Sequence, residues 1–200
     1  MGRWFLPVPD PRGAPEEWPG ALVMASTILG EAAGEPLEGK QAVAAVIMNR
    51  ARDHRWPDRP EEVCLQKMQF SCWNIGSPTL PRMFNPKSFV SEEVWGDCLR
   101  AALEAIWGLH PDPTNGANHY LNPAVTRQIR GGTLPSWHNP AKITATISSS
   151  VSSSEPVIEL DSNLRPPTSK NVRAMIANSA VAAQRLHTVS MSFFNSAAPT

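Results

Sequence analysis

The chain has little of what marks several common classes of protein. Its 18 Lys and Arg are matched by 18 Asp and Glu, so no cationic surplus remains to neutralise a phosphate backbone. Binding to nucleic acid is therefore not expected. Only three cysteines occur, Cys64, Cys72 and Cys98, with no C-x-x-C pair. That count gives neither a disulfide framework nor a zinc knuckle, and the three read as small buried apolar residues. No apolar run approaches the roughly 18 residues of a membrane span. The N-terminal MGRWFLPVPDPRGAPEEW has one arginine before an apolar stretch broken by Pro7 and Pro9. It lacks the apolar segment of about 7–15 residues of a secretory signal. Synthesis in the cytoplasm without a signal peptide is the expectation, and a target outside would require another component to let the protein through.

Aromatics are also unevenly spread. There is one tyrosine, Tyr120, against seven tryptophans, and all seven lie at or before Trp137. The 63 residues that follow hold only Phe193 and Phe194. With 200 residues, 42% of them hydrophobic, the chain is long enough for one domain with a real core. The aromatic gradient suggests a domain followed by something different.

Local pattern supports that division. Residues 1–17 are rich in Pro, Gly and charge and read as a loose lead-in. In PGALVMASTILGEAAGEP, Leu22, Val23, Ile28 and Leu29 recur at helical spacing, with Pro19 at the start and Gly34 and Pro36 ending the helix. GKQAVAAVIMNRARD reads as a second, largely buried helix, and a short one is expected at Pro60–Lys67. SEEVWGDCLRAALEAIWGL has Ser91 as N-cap, Glu92 and Glu93 in its first turn, and Gly108 and Pro111 as its stop. Trp95, four residues before Leu99 on that helix, and Trp56 read as core. The alternation Ile143–Thr144–Ala145–Thr146–Ile147 fits a strand. Residues 148–169, with eight serines and three prolines, have linker composition. Residues 170–200 read as a tail whose KNVRAMIANSAVAAQRLHTVSMSFF forms a weakly amphipathic helix. Its Lys170, Arg173 and Arg185 are too few for a membrane-disturbing helix, and no stable membrane insertion is expected.

The stretch that carries chemistry is Gly30-Glu31-Ala32-Ala33-Gly34-Glu35-Pro36. Glu31 falls near the C-terminal end of an apolar helix, where the macrodipole disfavours an anion. Both the apolar surroundings and the helix end should favour its neutral form. A carboxyl kept neutral is suited to protonating a leaving oxygen, as glycosidic cleavage requires. The plain alternative is a solvated glutamate in a turn, and Glu35 shares it. Gln69, Ser71 and Asn74 in QFSCWN, with Asn118, His119, Tyr120 and Asn122 in NHYLNP, offer neutral donors and acceptors for a sugar. Trp73 and Trp137 offer flat faces for a pyranose ring. The same residue types also satisfy ordinary packed loops.

The run ILGEAAGEPLEGKQAVAAVIMNRARDHRWPDRPEEVCLQKMQFSCWN resembles the catalytic domain of the SleB/CwlJ-type cell wall hydrolases. This group takes in spore-cortex-lytic enzymes and phage or prophage endolysins. The pattern carrying the resemblance is E-A-x-G-E-P-x-x-G-x-x-A-V-A-x-V-x-x-N-R, then W-P, then Q-F-S-x-W-N. A second block, GANHYLNPAVTRQIRGGTLPSWHNPAKIT, is similar to the family's H-Y-x-N-P and P-x-W elements. The resemblance spans residues 18–147, taken as the catalytic domain. It implies an α+β, mainly helical, lysozyme-like fold with a small β element, acting on peptidoglycan glycan strands. It maps the family's catalytic glutamate onto Glu31 and makes Glu35 a secondary neighbour. Characterised relatives are lytic transglycosylases, in which one carboxyl serves as acid and base and a 1,6-anhydro product forms. Asn49 and Arg50 would then tie the second helix to surrounding loops. One departure stands out: the family's I-G-x-H-x-F-like ending does not follow ITATI, so either the last strand is truncated and replaced by an unrelated tail or the reading frame diverges near Ser148, and both bear on how the edge of the sheet closes.

Three readings follow. The first is a peptidoglycan lytic transglycosylase, or a hydrolytic muramidase using the same Glu31, acting as a phage-type lysin or in wall remodelling, with a holin or other export route. No metal and no cofactor are implied. The second is a zinc amidase using His54, His110, His119 and His138, which lack H-x-x-x-H spacing and a cysteine at a ligand-like interval. The third, favoured by the lost ending and by the helical tail, is a non-catalytic peptidoglycan-binding or assembly module.

Overall fold

The computed structural model describes residues 4–135, 143–153 and 185–194. It is α+β and mainly helical, with a helix at its centre rather than a sheet. Helix α1 (Gly20–Ala32) is buried from Leu22 to Gly30 without a polar stripe. A helix that is apolar all round belongs inside other elements. Here α1 packs against α2 (Leu37–Ala51), α3 (Pro60–Leu65), α4 (Leu80–Phe84) and α5 (Glu92–Trp107). The two polar residues it buries are satisfied: Ser26 Oγ donates to Met83 O at 3.3 Å and Thr27 Oγ1 to Val23 O at 2.8 Å.

The helix ends follow the local signals. Pro19 and Pro36 precede α1 and α2, and Pro60 opens α3. Ser91 caps α5, accepting from Val94 N at 3.3 Å, and Gly108 ends it with φ at +66°. Cys64, Cys72 and Cys98 are buried free thiols, and burial pushes Cys64 and Cys98 up to about 12. Trp95 is fully buried with its Nε1 donating to Pro7 O at 2.8 Å, whereas Trp56 is only partly buried. Among the described residues no helix is long and apolar enough to cross a membrane.

Three expectations are corrected. Residues 1–17 are not a loose lead-in throughout: Trp4, Leu6 and Val8 pack against the core, and Phe5 N donates to Glu92 Oε1 at 2.9 Å. Apolar side chains between the prolines reach α5, which composition alone does not reveal. The segment from 148 does not begin as a linker, because β2 runs from Ile143 through the serines to Ser153. Nor is the tail helical at its end: Arg185–Phe194 form β3. The rest of the expected linker and tail, residues 154–184 and 195–200, lies outside the described residues.

The sheet has the order β1-β3-β2, with β1 at His119–Leu121, and both pairs are antiparallel. Its middle strand is therefore the last one in sequence. Tyr120 pairs with Phe193 and His119 with Phe194, while Thr146 pairs with Ser192 on the other side of β3. The aromatics missing after ITATI are supplied by Phe193 and Phe194, 0% and 2% exposed, so the sheet is not left truncated. A strand with neighbours on both edges has its backbone donors and acceptors paired, which favours β3 over an isolated helical tail. Val189, Met191 and Phe193 alternating with Ser190 and Ser192 is the period-2 signal that announces it.

The loop before β1 is built around Asp112. Its Oδ1 accepts from Thr114 N and Oγ1 at 2.7 and 2.6 Å, and its Oδ2 from Gly116 N and Asn49 Nδ2 at 2.8 Å each. Burial opposes that charge, but these hydrogen bonds hold the carboxyl below its usual range. A short helix, α6 (Pro123–Ile129), follows β1.

Two outcomes check this architecture. Phe193→Ala should cost about 3–5 kcal/mol of unfolding free energy, the usual range for a buried Phe truncated to Ala. A denaturant midpoint equal to wild type would mean that β3 is not part of the core. Gly30→Ala should destabilise by about 1–3 kcal/mol, the usual cost of overpacking. A Cβ at Gly30 would stand 2.6 Å from Cys72 Cβ and 2.7 Å from Met83 Sδ. Unchanged stability by the same measurement would rule out that close approach.

Candidate active site

Glu31 lies on the last turn of α1, half-buried, with one donor on each carboxylate oxygen. The backbone N–H of Cys72 donates to Oε1 at 3.1 Å, and the Tyr120 hydroxyl donates to Oε2 at 3.0 Å. Cys72 belongs to the single turn Ser71–Trp73 and Tyr120 to β1, so three separate elements meet at this carboxylate. Burial, then the Glu31 charge, pushes the Tyr120 phenol well above its ordinary value. The same two causes push the Cys72 thiol up. Both groups stay protonated, and Tyr120 is held as a donor.

The supporting contacts come from α1 and α4. Trp73 Nε1 donates to Thr27 Oγ1 at 3.0 Å, one turn before Glu31. Arg82 Nη2 donates to Gly30 O at 3.2 Å and satisfies a carbonyl that the helix end leaves open. Gly30 has no side chain, which lets the Ser71–Trp73 turn close onto α1.

Of the residues expected at the site, Tyr120 is brought onto Glu31, and Trp73 stands one turn from it. Trp73 is also packing: its ring is tilted on Trp18 at 6.2 Å and edge-on to Phe84 at 6.3 Å. Ser71 and Asn74 are exposed on the turn that supplies the Cys72 amide. Gln69 Oε1 accepts from Trp56 Nε1 at 3.3 Å, so it orients Trp56. His119 is directed elsewhere than its neighbour Tyr120, as alternation along a strand requires. Its ring is edge-on to Trp56 at 6.0 Å and its Nδ1 is 2.8 Å from Asn118 Oδ1. Burial first, then Arg50 and Arg55, lower His119 to about 4, so it is neutral at neutral pH. Asn122 Oδ1 accepts from Ala124 N at 3.0 Å at the start of α6. Glu35 is 8% exposed, pressed on Gly39, with its carbonyl oxygen taken by Lys40 Nζ. Trp137 lies outside the described residues.

Sequence reasoning missed three contributors. The Cys72 amide is a backbone donor, and no side-chain identity announces it. Thr27 reads as helix interior, and Arg82 sits in a helix that residue pattern did not mark. Among the described residues no three His, Cys, Asp or Glu side chains converge as a metal site. A cavity between α2 and α5, lined in part by Gln41, Asn49, Glu104 and Asp112, is separate from Glu31. Its polar side chains already bond one another, Gln41 to Glu104 at 2.7 Å and Asn49 to Asp112 at 2.8 Å.

The family model described as Cell Wall Hydrolase matches residues 34–151, more than half of the chain, and begins just after Glu31. The spore cortex-lytic enzyme of Halalkalibacterium halodurans is 35% identical over 101 residues, covering 50% of this chain and 26% of that protein. Its counterpart in Oceanobacillus iheyensis is 37% identical over 101 residues, covering 50% and 32%. The match thus spans about a quarter to a third of these relatives' length. Among solved structures, the catalytic domain of the Bacillus cereus SleB protein matches with a TM-score of 0.43 at 27% identity, covering 68% of this chain and 85% of that one. The catalytic domain of the germination-specific lytic transglycosylase SleB from Bacillus anthracis gives 0.44 at 27% identity, covering 62% and 86%. The chain belongs to the cell wall hydrolase family.

Proposed function

We propose that this protein cleaves peptidoglycan glycan strands between N-acetylmuramic acid and N-acetylglucosamine, with Glu31 as the only catalytic acid and base, leaving 1,6-anhydromuramic ends. The observation that carries the reading is the Glu31 carboxylate itself. It is half-exposed at the end of a buried helix, and its two hydrogen-bond partners are an amide and a phenol. Glu35, the nearest carboxylate in sequence, is buried and is not available as a second catalytic group. A mechanism with one carboxyl fits that arrangement better than the paired carboxylates of most glycosidases.

In the proposed reaction, protonated Glu31 gives its proton to the glycosidic oxygen and the C1–O bond breaks. The Tyr120 hydroxyl and the Cys72 amide hold the carboxylate that results. That carboxylate then takes the proton of the muramic C6 hydroxyl while O6 bonds to C1. No water is consumed, and Glu31 returns to its protonated state. Trp73 and the exposed Ser71 and Asn74 stand on the adjoining turn, where a sugar would contact them. The relatives' name, spore cortex-lytic enzyme, supports lytic action on a wall polymer. In this reading the protein works at the cell wall, as a phage-type lysin or in wall remodelling, with a holin or other route bringing it there.

A hydrolytic variant would place a water near Ser71 and Asn74, and the product decides between the two. A non-catalytic module drew its support from the lost family ending and a helical tail, whereas Arg185–Phe194 form the middle strand of the sheet.

Three outcomes test the proposal. Glu31→Gln, folded by circular dichroism, should clear embedded sacculi on the order of 10³-fold more slowly than wild type, within the range for loss of a general acid and base. Clearing at the wild-type rate would sink the assignment. Mass spectrometry of the wild-type digest should find muropeptides lighter by one water than the reducing forms, and only reducing ends would mean hydrolysis. Tyr120→Phe should retain clearing but lose roughly ten- to a hundredfold in rate, the value of a hydrogen bond to a charged group. An unchanged rate would remove Tyr120 from the mechanism.

A further inference from the structure

Arg50, on the last turn of α2, is 5% exposed, and such deep burial of a charged side chain requires a reason. Its guanidinium carbon lies 5.7 Å from the centre of the Trp56 ring and 5.0 Å from that of Phe70. Its Nε donates to Asn118 O at 2.8 Å, and Nη1 has no hydrogen-bond partner among the described residues. Neither the stacking nor the single hydrogen bond supplies a counter-charge. Burial weakens the hold of Arg50 on its proton, and Tyr120, Cys64 and Glu31 act in the opposite sense. Burial keeps the phenol and the thiol among these protonated.

Asn118 ties this cation to the site. It immediately precedes β1, its own N–H donates to Phe194 O at 2.8 Å, and Tyr120 follows two residues later. Arg50 therefore grips the backbone that presents the Tyr120 hydroxyl to Glu31.

We propose that Arg50 is a positioning residue for Glu31, acting through Tyr120: it fixes the β1 backbone that presents the phenol to the carboxylate. The inference rests on Glu31 being the acid and base. When Glu31 gives up its proton, negative charge grows on the carboxylate, and a phenol held in place through Asn118 stabilises it. Because Arg50 is buried and does not reach substrate, its loss should lower kcat and leave KM nearly unchanged.

The test is a double-mutant cycle on the full chain: wild type, Arg50→Lys, Tyr120→Phe and the double variant. Rates are measured on soluble glycan-strand fragments. Tyr120 is the sole tyrosine, so a tyrosine label carbon-13 enriched at Cζ gives one resonance that reports its hydroxyl directly. Arg50→Lys keeps the charge but not the planar group that donates to Asn118 O while lying against two rings. It should lower kcat about tenfold with KM within about twofold, and move the tyrosine resonance. In the Tyr120→Phe background the same change should cost less than about threefold. Additive losses, or an unmoved resonance in folded Arg50→Lys, would overturn the proposal. Should Arg50→Lys not fold, Arg50→Gln enters the same cycle with the same outcomes. Failure of both to fold also overturns it, since Arg50 would then serve the fold alone. A wild-type protein inactive on glycan defeats the proposed activity, while the resonance still reads the coupling of Arg50 to Tyr120.

Discussion

The site depends on how closely the last turn of α1 approaches the turn Ser71–Trp73. A side chain at Gly30 would overlap Cys72, and without one the two backbones come near enough for the Cys72 amide to reach Glu31 at 3.1 Å. The same approach lets Trp73 reach Thr27 a turn earlier, so the short turn holds the helix at two heights. A turn of three residues has little stability of its own. Its place is set instead by burial of Cys72 and by Phe70, 2% exposed, at its entrance. Arg82 completes the helix end by taking the Gly30 carbonyl.

Charge is distributed to match. The donors on Glu31 are neutral, so the carboxylate is oriented without being locked into an ion pair. The close ion pairs of the described residues lie elsewhere. Arg12–Asp10 and Arg100–Glu104 sit at or near the surface, where screening and side-chain entropy leave them small net contributions. Asp53 is drawn down to about 2 by Arg55, its neighbour in a surface loop. Arg50 is different in kind, because burial removes the water that would otherwise screen it. With a net charge of zero, attraction to a wall would come from hydrogen bonding and stacking rather than from the field of the whole protein.

Much of the fold was legible in the sequence. Helices α1, α2, α3 and α5 carry strong local signals: prolines at their starts, a Ser91 cap, and Gly108 as a left-handed stop. Such signals depend on a few adjacent residues, and burial of the apolar face reinforces them. Strand β3 was harder because a stretch rich in serine, alanine and polar residues precedes it. Its V-S-M-S-F alternation is short, and its partners are distant along the chain. The serines of β2 read as linker for the related reason that composition does not register a backbone ladder. At the site, Glu31 was marked out by the family resemblance, since its position at a helix end also suited a solvated turn glutamate, and Tyr120 and Trp73 by residue type. Gln69, His119 and Asn122 were of suitable type as well, but their contacts run to Trp56, Asn118 and Ala124 instead.

What the sequence determined by itself was therefore the central helix, its termination just past Glu31, and the family pattern that begins there. These are local properties of spacing, caps and residue type. Tertiary structure decided which donors meet the carboxylate, since one is a backbone amide from a turn and the other a phenol 89 positions away. It also decided that the last described strand sits in the middle of the sheet, and that Arg50 lies buried beside β1. Those outcomes depend on distances between elements remote in sequence, which no local pattern encodes.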